Sequence, residues 1–166
     1  MTTLLRNLTN RHTTWTSPPS WLPADDVVGD ALNDLSTREN VMSMFELSAG
    51  VDERRVAAAL TARRTQTVHF VDFALIQREE LERLGLDLQT TGGNTADEGV
   101  NGCHVNIVNI SARALFSLVD ALRATAKFGS IGPNELSVAL AGSVSGGFID
   151  AGELSERNME RIRRLR

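Results

Sequence analysis

A single cysteine, Cys103, leaves the chain without an internal disulfide framework or a multi-cysteine zinc site. No run of about 18 apolar residues occurs, so no membrane-spanning helix is expected. The first 23 residues contain Arg6 and Arg11 but no apolar core of signal-peptide length. Histidine is sparse. His12, His69 and His104 are scattered, with no His-x-x-x-His pair and no EF-hand loop, so no metal is expected. Cofactor motifs are missing too. The stretch TTGGNT at 90–95 has glycines and hydroxyls but neither the lysine of a P-loop nor GxGxxG spacing. GSVSGG at 142–147 lacks the G-x-S-x-G of a serine elbow. Lysine occurs once, Lys127, against sixteen arginines, a bias that fits a GC-rich bacterial genome.

What is present suits one globular domain. A length of 166 residues is of single-domain size. Hydrophobic residues at 42% and charged residues at 23% exclude wholesale disorder. The net charge of −4 is unevenly spread. Residues 1–23 hold two bases and no acid, and residues 24–156 hold ten bases and twenty acids. Residues 157–166 hold five arginines and one glutamate. A basic tail on an acidic body can bind nucleic acid, an acidic partner or its own body. It can also be a helix whose arginines complement its own dipole.

Residues 1–23 carry Trp15, Pro18, Pro19, Trp21 and Pro23, and read as an extended arm that packs on the body or on a partner. Residues 24–166 form a single α+β domain. Its small mixed sheet has about four strands, is covered by helices on one face, and gives way to a helix-rich C-terminal third. Residues 24–35 predict a short helix with Val28, Ala31 and Leu35 inward. Period-two alternation predicts strands at 40–47, 68–76 and 103–110, with another starting at 86–88. Spacings of three and four predict helices at 52–64, 77–84 and 111–126, then one opened by Pro133 and a last one after Asp150. Asp52 and Ser111 are the expected N-caps, and Gly85 and Gly129 the expected stops.

Four residues carry whatever chemistry the chain has. His104 stands where the polar loop 89–102 meets a strand, with Asp97 and Glu98 just before it. A histidine near carboxylates can act as a general base, or can simply bond loop backbone. Asp72 lies inside the apolar run VHFVDFALI, where a carboxylate needs a partner. It is either an active-site acid or one half of an ion pair with Arg63 or Arg64. Cys103 and His104 are adjacent strand residues and point to opposite faces, which excludes a dyad between them.

The missing motifs and the charge pattern favour a non-catalytic bacterial protein-interaction module: an immunity protein, an antitoxin, or an accessory subunit of a conflict or defence system. Its expected partner-binding residues are Trp15, Trp21, Arg161, Arg163 and Arg164. The expected partner is another protein, such as a basic toxin or a complex subunit, or a second copy of the chain; nucleic acid is the lesser alternative. The expected location is the cytoplasm. The alternative function is a small hydrolase or transferase with its site in loop 89–102 around His104.

Overall fold

Alternation along residues 42–46 sends Met42 and Met44 to one face of a sheet and Phe45 to the other. The same alternation places Leu4 opposite Leu5, and Ala74 and Ile76 opposite Val71 and Phe73. Both faces of the sheet centre are therefore apolar, and both have to be covered. The computed structural model describes residues 2–165. Its strands are β1 (Thr3–Asn7), β2 (Met42–Glu46), β3 (Val71–Gln77), β4 (Asp87–Thr90), β5 (His104–Val108) and β6 (Lys127–Ile131). They form one open sheet in the order β4-β5-β2-β1-β3-β6, with every neighbouring pair antiparallel.

The helices are α1 (Thr13–Thr16), α2 (Glu53–Thr61), α3 (Arg78–Arg83), α4 (Glu98–Asn101), α5 (Ala112–Thr125), α6 (Pro133–Ser145) and α7 (Glu156–Arg163). Two 3-10 turns, Gly29–Leu35 and Ala151–Glu153, complete the order. One core joins the Met42 face to Leu118 and Leu122 of α5, Leu81 of α3 and Leu35. The other joins the Phe73 face to Val56 of α2, Leu136 and Leu140 of α6, and Val100 of α4. No helix among the described residues is long and apolar enough to cross a membrane.

The expected α+β character is present, with three corrections. The sheet is antiparallel and not mixed, has six strands and not about four, and is covered on both faces. The two extra strands have separate causes. The prolines of the supposed arm begin only at Pro18, and TLLRN ahead of them is free to pair. It does so as an inner strand, bonded to β2 and β3. The extended arm is thus corrected: residues 3–7 are sheet core. Gly129 stops no helix but lies inside β6, where a Cβ would run into the Phe73 ring.

Caps that act over three residues are where the sequence puts them. Asp52 accepts from Arg55 N at 2.9 Å, and Ser111 accepts from Ala114 N at 3.2 Å. Gly85, just past α3, takes a φ of 70°. Ser155, and not Asp150, caps α7; Asp150 instead caps the Ala151–Glu153 turn. Buried Asn158 then fixes α7 in place. Its Nδ2 donates to the Thr61 and Ala62 carbonyls at 2.8 and 3.0 Å, at the end of α2.

Candidate functional site

The four predicted chemical residues are not one site. Asp97 is fully buried and caps α4, accepting from Gly99 N at 2.8 Å and Val100 N at 3.2 Å. Arg55 donates to both of its oxygens, Nε to Oδ2 at 2.7 Å and Nη2 to Oδ1 at 2.9 Å. Burial pushes the Asp97 carboxyl up, but the Arg55 hydrogen bonds and the two amides outweigh it and hold it below its ordinary 3.8. The Arg55 guanidinium also lies 3.7 Å over the Phe148 ring. Asn101 Oδ1 accepts from Thr95 N at 2.6 Å. Loop 89–102 is thus knotted around Asp97, which Arg55 of α2 holds from outside the loop. Glu98 faces solvent.

His104 stays outside that knot. Its Nδ1 lies 2.8 Å from Thr91 Oγ1, and its ring meets Phe45 edge-on at 5.3 Å. Asn106, on the same strand face, bonds Ser43 at 3.1 Å. No carboxylate among the described residues is hydrogen-bonded to His104. Its burial lowers its pKa from the ordinary 6.5. The unfolded chain therefore takes up this proton first as pH falls. Stability due to the neutral ring is whole above about 6.5 and declines below it, until the lowered folded value is passed. Replacing His104 by Gln should flatten the fall in urea midpoint between pH 7 and pH 5. An unchanged slope would mean that the ring is solvated.

Asp72 is paired, as a buried carboxylate requires, but with neither Arg63 nor Arg64. Arg63 pairs with Glu153 instead. Asp72 Oδ1 accepts from His12 Nδ1 at 2.6 Å, and Oδ2 lies 3.4 Å from Arg11 Nε. Both partners come from the turn that follows β1. Arg11 in turn stacks 3.7 Å over Phe70. A pocket of about 310 Å³ opens beside the pair, lined by Asp72, Arg11, Arg64 and His69 among others. The buried carboxylate fixes the imidazole through Nδ1, the relation of a general base to its orienting acid. No hydroxyl or thiol among the described residues is bonded to the other ring nitrogen. Ser130, opposite Asp72 in β6, has a buried hydroxyl with no hydrogen-bond partner among the described residues. Replacing Asp72 by Ala should destabilise by about 1–3 kcal/mol through its orphaned partners. Replacement by Asn should cost less. A denaturation midpoint unchanged in both would show that the pair contributes nothing.

The expected partner-binding residues divide. Trp15 is core: it stacks on Phe128 at 5.5 Å and donates Nε1 to Asp34 Oδ2 at 2.8 Å. Trp21 is 73% exposed. Arg161 donates to the Val68 carbonyl at 2.7 Å, while Arg163 and Arg164 are exposed.

Two adjoining depressions mark the α6–α7 face, which sequence reasoning found only at its arginines. A cleft of about 420 Å³ is lined by Arg157, Arg161, Arg164, Glu160, Asn134 and Leu165 among others. A groove of about 470 Å³ is lined mostly by apolar side chains, Val138, Ala141, Val144, Ile162 and Leu165. Leu165 borders both, and Val138 is 60% exposed. Val138 of α6 points outward, whereas Val144 and, from α7, Ile162 are half-buried against the core.

No group of three or more metal-ligating side chains occurs among the described residues. Compared with protein-family models, curated proteins and solved structures, the chain matches none.

Proposed function

We propose that this chain is a non-catalytic protein-interaction module of the kind represented by immunity proteins, antitoxins and accessory subunits of bacterial conflict systems. The observation that carries this reading is the α6–α7 face, where an open apolar groove adjoins an arginine-lined cleft. Contiguous exposed apolar surface rimmed by charge is the signature of a surface that is covered in use. The supporting observation is negative. Of the groups that made loop 89–102 look reactive, Asp97 is held by Arg55 and His104 by Thr91, and Glu98 stands apart from both in solvent.

The test is site-specific photo-crosslinking in the native host, with the crosslinker at Val138 and, as control, at the exposed Phe116 of α5. A discrete protein adduct from position 138, absent from 116, is expected. No adduct from 138 at native expression would overturn the reading.

A second reading has one observation in its favour. If the chain is a small hydrolase or transferase, its base is His12, held by Asp72 at 2.6 Å, and not His104. Turnover of an ester or phosphoester that is lost in a folded His12→Gln variant, yet kept in His104→Gln, would replace the binding reading with this one.

A further inference from the structure

We infer that the occupant of the α6–α7 face is an acidic amphipathic helix of a partner protein. Its carboxylates lie against Arg157, Arg161 and Arg164, and its apolar stripe lies in the Val138–Leu165 groove. This rests on the interaction reading above.

The spacing comes first. Arg157, Arg161 and Arg164 follow one another at four and three residues, and Arg164 just past the end of α7 keeps helical backbone angles, so the three form one row along α7 and its C-cap. At 1.5 Å rise per residue the row is about 10 Å long. A single small anion engages one guanidinium fork or two. A row of that length matches acids repeating at the same spacing on a second helix.

The donors are also left over. The Arg157 guanidinium has no hydrogen bond or ion pair among the described residues. Among the described residues the Arg164 side chain meets only Glu160, at 3.7 Å and in solvent. Arg161 commits one Nη to Val68 and keeps its other donors.

Continuity then fixes the character of the occupant. The basic cleft and the apolar groove share Leu165, so whatever fills both is acidic along one side and apolar along the other. A nucleic acid satisfies the arginines but leaves the groove empty, and it meets repulsion from residues 24–156, with their excess of ten acids. A second copy of this chain offers no matching segment in its acidic α3. The glutamates of α3 flank Leu81, which is buried in the core, and Glu80 and Glu82 already pair with Arg83 and Arg78. The partner contacting this face is therefore acidic there, and not the basic toxin that the acidic body alone suggests.

The experiment uses the full chain and a fluorescent peptide of about 20 residues, long enough to hold a helix. Leucines at three- and four-residue spacing line one side of the peptide, and glutamates in the 157/161/164 pattern line the other. Comparators are a scrambled peptide of equal composition and a single-stranded oligonucleotide. Binding should weaken about tenfold or more in Arg157→Gln/Arg164→Gln and again in Val138→Asp. These side chains are exposed, and an unchanged denaturation midpoint checks the fold. Equal binding of the scrambled peptide, tighter binding of the oligonucleotide, or indifference to the arginine changes would overturn the inference. A Val138 crosslink to a partner segment without acidic periodicity would overturn it alone and leave the interaction reading standing.

Discussion

Replacing Asp34 by Ala is expected to cost about 3–5 kcal/mol, a large share of the stability of an ordinary domain. Asp34 is wholly buried, and its carboxylate holds the turn between β1 and α1. Oδ1 accepts from Thr9 N at 2.6 Å and Asn10 N at 2.8 Å, and Oδ2 accepts from Trp15 Nε1 at 2.8 Å. Each hydrogen bond to a charged group is worth about 1.5–3 kcal/mol, and three are lost together, with overlap. The Arg6 guanidinium donates to the Asp34 carbonyl at 3.0 and 2.7 Å, so the backbone here is committed as well. Asp34→Asn keeps the shape and one acceptor and should cost less than half as much. Urea titration followed by circular dichroism measures both. A midpoint unchanged in Asp34→Ala would mean that the 9–15 turn is held by something else.

The second large effect is expected at Arg55. Its replacement by Met leaves Asp97 buried without its countercharge, at a cost of about 3–5 kcal/mol at neutral pH. The sign of the pH dependence follows from the lowered Asp97 pKa. The stability from this pair is present above the ordinary carboxylate value and is lost as pH falls through the lower folded value. The deficit of Arg55→Met should therefore be greatest at pH 7 and shrink toward pH 3. The double variant Arg55→Met/Asp97→Asn should recover part of it at pH 7, since no buried charge is left over. Gly99 belongs to the same unit: a Cβ there would strike the Arg55 guanidinium. A deficit that stays constant from pH 7 to pH 3 would show that the loss comes from packing on Phe148 and not from charge.

What was legible in the sequence is what acts over three or four residues. Asp52, Ser111, Pro133 and Gly85 each mark a helix end by bonding or turning nearby backbone, and each stands at its expected place. Of β4 only LDL at 86–88 hints at a strand, while β2 and β5 announce themselves by alternation and β3 by its apolar run. The network around Asp34 and Asp72 does not, because its members are far apart in the chain. His12 and Asp72 are separated by 60 residues, Arg55 and Asp97 by 42, and Arg6 and Asp34 by 28. Asp72 could be seen to need a partner, but not which one. His104 looked reactive because Asp97 precedes it in sequence. Asp97 is committed to α4 and Arg55, a partner outside the loop. Trp15 and Trp21 looked alike as letters, yet Phe128 and Asp34 claim one and leave the other in solvent.

The inner position of β1 sets how the molecule answers to force. Tension applied ahead of Thr3 loads the ladders to β2 and β3 in shear at once, so the bonds of both must fail together. β1 is also the strand that joins β4-β5-β2 to β3-β6. Tension applied behind Arg163 meets α7 instead, which is attached through separate contacts such as Asn158 to Thr61 and Arg161 to Val68. These can be peeled one after another. An unfolding motor should therefore strip the chain readily from the α7 side and stall from the β1 side, and single-molecule pulling from the two directions should give two different rupture forces.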